Sequence, residues 1–181
     1  MNEIAMTEDP LSRVSALRAA FDRSFAEPPR LDLAAMEDLL MVRVGDDVFA
    51  IRLSEIMGLY ADKKIIRVPG GDPALLGIAG FRGAIQPVYG LTILLGRQAE
   101  AAPHWLVIAT AAPVALAFDA FDGHVRVASE TVRPREAGAK DQPYARDFVP
   151  VQQFVRPILH LPSIVEAIGA RRAAVAPGKD S

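Results

Sequence analysis

Leu76-Gly77-Ile78-Ala79-Gly80-Phe81-Arg82-Gly83-Ala84-Ile85-Gln86-Pro87-Val88-Tyr89-Gly90-Leu91 is the stretch that decides how this 181-residue chain folds. Its first three glycines follow a G-x-x-G-x-x-G spacing, which differs from the dinucleotide-binding fingerprint. A phosphate loop must open a helix whose N-terminus faces the anion. Here Ile85, Pro87 and Val88 follow instead, two β-branched residues around a helix breaker. Residues 81–89 therefore read as an extended segment, with Pro87 marking an edge position or a bulge. The glycines permit unusual backbone angles and the close approach of strands.

Outward from this stretch the texture is that of short strands. Residues 39–44 and 48–53 flank Gly45-Asp46-Asp47, the composition of a tight hairpin. Residues 65–68 form a strand stopped by Pro69, and Gly70-Gly71-Asp72-Pro73 is a loop. Residues 91–95 make one helical turn closed by Gly96, and 97–103 are a linker. Strand character returns at 105–109, 114–119 and 125–127; 133–147 is a polar loop and 157–161 a last strand. Ser163 and Glu166 form a capping box for a final helix with Ile164, Val165 and Ile168 facing inward. Arg171 and Arg172 sit near its C-terminus, where positive charge is favoured.

At the other end, Asp9 as N-cap and Pro10 at the first helical position open a helix. Leu11, Val14, Leu17, Phe21 and Phe25 share one face of it, and Glu27-Pro28-Pro29 ends it. That face either packs on the body or binds a partner. The division is thus a helical arm over 1–38, a β domain over 39–168 with halves 39–96 and 104–161, and a flexible tail over 169–181.

Composition excludes several classes of function. With 51% apolar and 23% charged residues the chain is an ordinary folded protein. A net charge of −2 gives no pull towards polyanions, so nucleic acid is not an expected partner. The absence of cysteine removes disulfides, thiolate metal sites and cysteine nucleophiles, and suits a reducing cytoplasm. The first ten residues carry Glu3, Glu8 and Asp9 and no basic start, unlike a secretory signal. No apolar run approaches the ~20 residues that span a bilayer, so no membrane insertion is expected.

Catalytic motifs are missing too. His104, His124 and His160 stand far apart and in no metal-ligand spacing, and no serine lies in G-x-S-x-G. Asp119 and Asp122, three apart on a strand, face opposite ways and read as strand-end and turn carboxylates. Asp46-Asp47 is turn chemistry. The expectation is a cytoplasmic protein without catalytic, cofactor-binding or metal residues.

The opening stretch, 76–91, resembles the signature of CheW-like domains. In that family a Gly-Val-x-Asn-Leu-Arg-Gly core leads into a strand ending Pro-Val-x-Asp-Leu. Val48-Phe49-Ala50-Ile51 with Leu53-Ser54-Glu55-Ile56 is similar to the family's second strand and its turn, and Pro69 to the proline before a variable loop. Leu116-Ala117-Phe118-Asp119-Ala120-Phe121 resembles an apolar segment ending Val-Asp-x-Val. Ile158-Leu159-His160-Leu161 with Ile164-Val165 resembles the closing strand and helix. The resemblance covers residues 39–168.

It implies a mainly β fold of two small five-stranded SH3-like barrels, and an adaptor linking chemoreceptors to a histidine kinase. The implied partners are the kinase regulatory domain, the chemoreceptor cytoplasmic tip and CheW-like paralogues. By position, Arg82 is the family's arginine beside the interaction surface and Ile56 an apolar contact on the first barrel. Gly77, Ile78, Gly83 and Val88 shape the same strands. Gly58 stands where the family often has Glu, Gly80 where it has Asn, Phe81 where it has Leu and Gly90 where it has Asp; a glycine before the last strand is lost among Val149-Pro150-Val151. Such changes select partners. Two rival readings remain: an assembly or regulatory module that binds a different partner, and a small hydrolase or ligand-binding barrel. For Arg82 the rival role is bracing its own loop by bonding nearby carbonyls.

Overall fold

The computed structural model describes residues 35–69, 71–98, 102–135 and 142–175. The helical arm expected before residue 35 and the chain end from 176 lie outside the described residues. The described strands are β1 (Met36–Val44), β2 (Asp47–Arg52), β3 (Ile56–Ala61), β4 (Leu75–Phe81), β5 (Ala84–Gly90) and β6 (Trp105–Ala109). They continue with β7 (Ala115–Phe118), β8 (Ala120–Ala128), β9 (Arg133–Pro134), β10 (Ala145–Val151) and β11 (Phe154–Leu159). Helices α1 (Leu91–Leu94) and α2 (Leu161–Val175) complete them, with 3₁₀ turns at Leu53–Glu55 and Ser129–Thr131.

The fold is mainly β, in two mixed sheets. The first has the order β8-β1-β2-β11-β10-β9 and the second β3-β6-β7-β5-β4. The first thus counts six strands rather than five because of the two-residue β9. The sheets do not follow the chain halves 39–96 and 104–161. Sheet one takes β1 and β2 from the beginning and β8 to β11 from the end, while sheet two is the middle of the chain. The chain crosses over through the Leu53–Glu55 turn and returns at Asp119. Asp119 is pinned at that crossing: its N–H donates to the Arg43 carbonyl at 3.1 Å, and its carboxylate accepts the Gly45 N–H at 2.6 Å.

Strand parity explains how two sheets share the burial. Along β7, Ala115 and Ala117 enter the interior of sheet two, while Leu116 and Phe118 enter a core shared with sheet one. The same alternation sends Leu106 and Ile108 of β6 one way and Val107 and Ala109 the other. In sheet one, Leu39 and Met41 of β1 line its own interior, and Leu40, Val42 and Val44 join the shared core. Strands buried on both faces must be apolar at every position, which is why 39–42 and 105–109 read as unbroken runs. Tyr89, Leu91, Leu94, Leu161, Ile164 and Ile168 fill the shared core from β5 and the helices. Burial pushes the Tyr89 phenol above its ordinary value; Arg172 opposes this and Asp72 adds to it.

The hairpin expected at Gly45 forms, with Val44 opposite Asp47 and Gly45 at φ +60°. The extended segment expected over 81–89 is instead the end of β4, a turn and β5. Arg82 (φ +47°) and Gly83 (φ +86°) are its two central residues, and Phe81 faces Ala84. Positive φ at both positions is what a two-residue turn of the twist-matched type I′ requires.

Pro87 is accommodated on both sides. The β5–β7 ladder begins only at Val88, and opposite Pro87 the N–H and C=O of Ile78 both bond Ile66, at 2.8 Å. No ladder bond asks for the missing proline N–H. Of the strand expected at 65–68 only this Ile66–Ile78 bridge forms, while β3 and β10 are strands where none was expected.

The last helix starts two residues before the expected capping serine. Leu161 donates its N–H to Glu55 Oε2 at 2.8 Å, and Pro162 has no N–H to satisfy. The Ser163 N–H reaches the His160 carbonyl at 3.1 Å and its Nδ1 at 3.3 Å, and Ile164 donates to the same carbonyl at 3.3 Å. His160, rather than Ser163 with Glu166, is therefore the capping residue. Ile164 and Ile168 are buried and Val165 packs beside them, as expected. Residues 169–175, read as part of a tail, belong to this helix.

Candidate functional site

The β4–β5 hairpin of sheet two carries the residues singled out by the sequence. Arg82 sits at its tip, exposed, and makes no hydrogen bond or ion pair among the described residues. Gly83 beside it supplies the second left-handed position of the turn. Ile78 on β4 is half-buried, and Val88 on β5 is fully buried in the interior of sheet two. The Val88 side chain thus supports the hairpin from beneath and does not reach the surface.

Gly77 is a packing requirement. A Cβ there would lie 2.2 Å from the Ile66 carbonyl oxygen, and φ is +146°. Only glycine lets the segment after β3 lie against β4 and make the Ile66–Ile78 bridge.

Ile56 and Gly58 fall elsewhere. Both are on β3, at one border of sheet two, whereas β4 is at the other. Ile56 is half-buried against the shared core. The structure therefore brings together Gly77, Ile78, Arg82, Gly83 and Val88, and leaves Ile56 and Gly58 apart from them in sheet order.

Sequence reasoning passed over two prominent members of the hairpin surface. Ile85 is 74% exposed and Ile66 57% exposed. Parity was the available signal: once Gln86 and Val88 point inward, Ile85 must point out. The cations of the neighbouring segment, Lys63, Lys64 and Arg67, are also exposed. The Lys63 ammonium lies 5.4 Å from the Tyr60 ring centroid and 6.0 Å from that of Phe81.

Several polar groups elsewhere are engaged with each other. Arg52 donates to Glu37 at 2.8 Å and to Asp147 at 2.6 Å, and stands 3.8 Å from Glu55. Burial alone would depress its guanidinium, but the bonds to Asp147 and Glu37 outweigh that and hold it above its ordinary value. A shallow groove beside it is lined by Met36, Glu37, Asp38, Arg52, Leu53 and Ser54. His104 pairs with Asp62, His124 with Asp38 and His160 with Ser163, at three separate places. Asp122 pairs with Arg43 at 2.8 Å, and Asp119 holds the Gly45 turn, so neither faces the other across a cleft. Among the described residues no three His, Asp or Glu side chains converge as metal ligands would.

The family model of the CheW-like domain matches residues 38–169, well over half of the chain. The chain belongs to the CheW-like domain family. This CheW-like chain is also similar to a solved structure, the scaffolding protein TtCheW from Thermoanaerobacter tengcongensis. The TM-score is 0.65 at 15% sequence identity, and the match covers 73% of this chain and 94% of that one. At that identity the likeness speaks for the fold. No curated protein matches the CheW-like chain in sequence. Membership of the family places it among adaptor and scaffold proteins of chemotaxis-type signalling, which work through protein–protein interaction.

Proposed function

We propose that this chain is a cytoplasmic adaptor that couples chemoreceptors to a histidine kinase, docking the kinase regulatory domain at the β4–β5 hairpin. The receptor cytoplasmic tip and CheW-like paralogues are its further partners. The observation that carries the reading is Arg82, exposed at a hairpin tip without a partner among the described residues, beside an exposed Ile85, in a chain of this family. A bracing role would need bonds from its guanidinium to local carbonyls, and it makes none among the described residues. An arginine fork over a short apolar edge suits recognition of a carboxylate or backbone carbonyls on another chain. Among the described residues no helix is long and apolar enough to cross a membrane, which accords with a cytoplasmic place.

The work is then affinity and geometry, with no bond made or broken. The test is binding of the purified regulatory domain of a histidine kinase from the same cell, measured by titration calorimetry. Arg82→Glu is expected to weaken it at least about thirtyfold, the ~2 kcal/mol of an interface hot spot, with an unchanged circular dichroism spectrum. Equal affinity for both forms overturns the site.

A further inference from the structure

Register places four apolar side chains on one face of sheet two. Ile66 is directly opposite Ile78, and Ile78 directly opposite Pro87, so the three form a row across the segment after β3, β4 and β5. Two residues nearer the tip Gly80 faces Ile85, on the same face of the sheet. A Cβ on Gly80 would meet nothing within 4 Å, so the face is open there beside the exposed Ile85. The row is therefore an apolar strip whose middle carries no side chain at Gly80.

Its fringe is cationic. Lys63, Lys64 and Arg67 flank Ile66 in the chain, and Arg82 ends the hairpin, all exposed. Lys64, Arg67 and Arg82 have no ion-pair or hydrogen-bond partner among the described residues, and Lys63 meets only the rings of Tyr60 and Phe81. The one acid of this stretch, Asp62, is taken by His104 at 3.0 Å. Positive charge is thus concentrated here on a chain whose net charge is −2.

We propose that this strip, Ile66, Ile78, Pro87 and Ile85 with the open position at Gly80, docks an acidic amphipathic protein segment. Apolar side chains of the partner lie along the isoleucines and over Gly80, and its carboxylates meet Lys63, Lys64, Arg67 and Arg82. The proposal rests on the adaptor reading and names the chemistry of the partner. A protein is favoured over a lipid surface because chains of this family work through protein–protein interaction. Charge of one sign beside the strip accelerates encounter and rejects basic partners.

The test uses the full chain with labelled isoleucine methyl groups and two synthetic peptides. Both carry Leu at three- and four-residue spacing; one has Glu elsewhere and its twin has Lys. The Glu peptide is expected to shift the methyls of Ile66, Ile78 and Ile85 saturably, and to bind at least about tenfold more weakly on going from about 50 to about 300 mM NaCl. The triple variant Lys63→Glu/Lys64→Glu/Arg67→Glu and the single variant Ile85→Ser, all at exposed positions, are expected to lose the shifts while keeping the remaining spectrum. Shifts confined to other methyls, an equal response to the Lys twin, or no shift overturns the proposal. So does recruitment to anionic vesicles by a chain that ignores the Glu peptide. Because no kinase is used, this failure is distinct from failure of the adaptor reading, which the Arg82→Glu titration decides.

Discussion

At Gly77 the absence of one carbon decides whether two segments can pair. The clash predicted for a Cβ is with backbone, the Ile66 carbonyl at 2.2 Å and its carbon at 2.7 Å, which cannot rotate away as a side chain could. Gly77→Ala should therefore break the Ile66–Ile78 bridge and cost about 2–4 kcal/mol, read as a lower urea midpoint. Gly80→Ala is the control: its φ is not left-handed and its Cβ meets nothing, so stability should stay within about 0.5 kcal/mol or rise. A Gly77→Ala chain as stable as the parent would show that the bridge contributes nothing. The sequence told part of this. Glycines among β-branched residues announced a close approach of strands, but not which glycine made it. The Arg82-Gly83 turn stayed hidden because arginine at positive φ is no turn signal, so β4, the turn and β5 merged into one strand. The departures at Gly58, Gly80 and Gly90 are not forced by left-handed backbone; the nearest neighbours of a Cβ are the Tyr60 ring at 2.9 Å, nothing, and Leu76 at 3.5 Å.

At the scale of elements, the start of α2 shows how the crossover turn and the last helix hold each other. Glu55 ends the 3₁₀ turn, and its carboxylate takes the N–H of Leu161, a residue with no exposed surface. A carboxylate at a helix N-terminus gains both a hydrogen bond and the helix dipole. Glu55→Ala orphans a buried donor and should cost about 1–2 kcal/mol, lowering Tm by about 3–8 °C, whereas Glu55→Gln keeps an acceptor and should lose less. Equal losses for Ala and Gln would assign the effect to packing or to the Arg52 contact at 3.8 Å instead. The helix itself was legible from the Ser163–Glu166 pair and from Ile164, Val165 and Ile168 facing inward. Its start was not, because an S-x-x-E pair sits just inside it, and an imidazole capping Ser163 leaves no familiar signature. β3 and β10 were missed for a related reason. Gly58 interrupts the first, and Asp147 and Pro150 give the second the look of a loop, although Asp147 is held by Arg52 and Pro150 is exposed opposite Val155.

For the whole molecule, the decisive feature is that the sheets are not consecutive in the chain. The class and the apolar segments were readable, because strands buried on both faces leave unbroken apolar runs. Which strand pairs with which was not, since β2 lies parallel to β11 and β5 parallel to β7, partners that no hairpin spacing reveals. Residues 39–96 alone hold two strands of sheet one and three of sheet two, and 104–161 hold the complements. In either piece β2 or β11, and β5 or β7, loses its neighbour, and the shared core loses one wall. Neither fragment should show a cooperative urea transition. The full chain should unfold in one step by two probes at once. Trp105, the single tryptophan, packs on Phe121 of the other sheet with ring centroids 5.4 Å apart, so its fluorescence reports the junction, while far-ultraviolet circular dichroism reports all strands. Coincident midpoints follow if the shared core makes the sheets one unit. Midpoints separated by more than about 0.5 M urea, or a fragment that melts cooperatively, would mean that each sheet stands on its own interior and that the hairpin face of sheet two can be altered without consequence for sheet one.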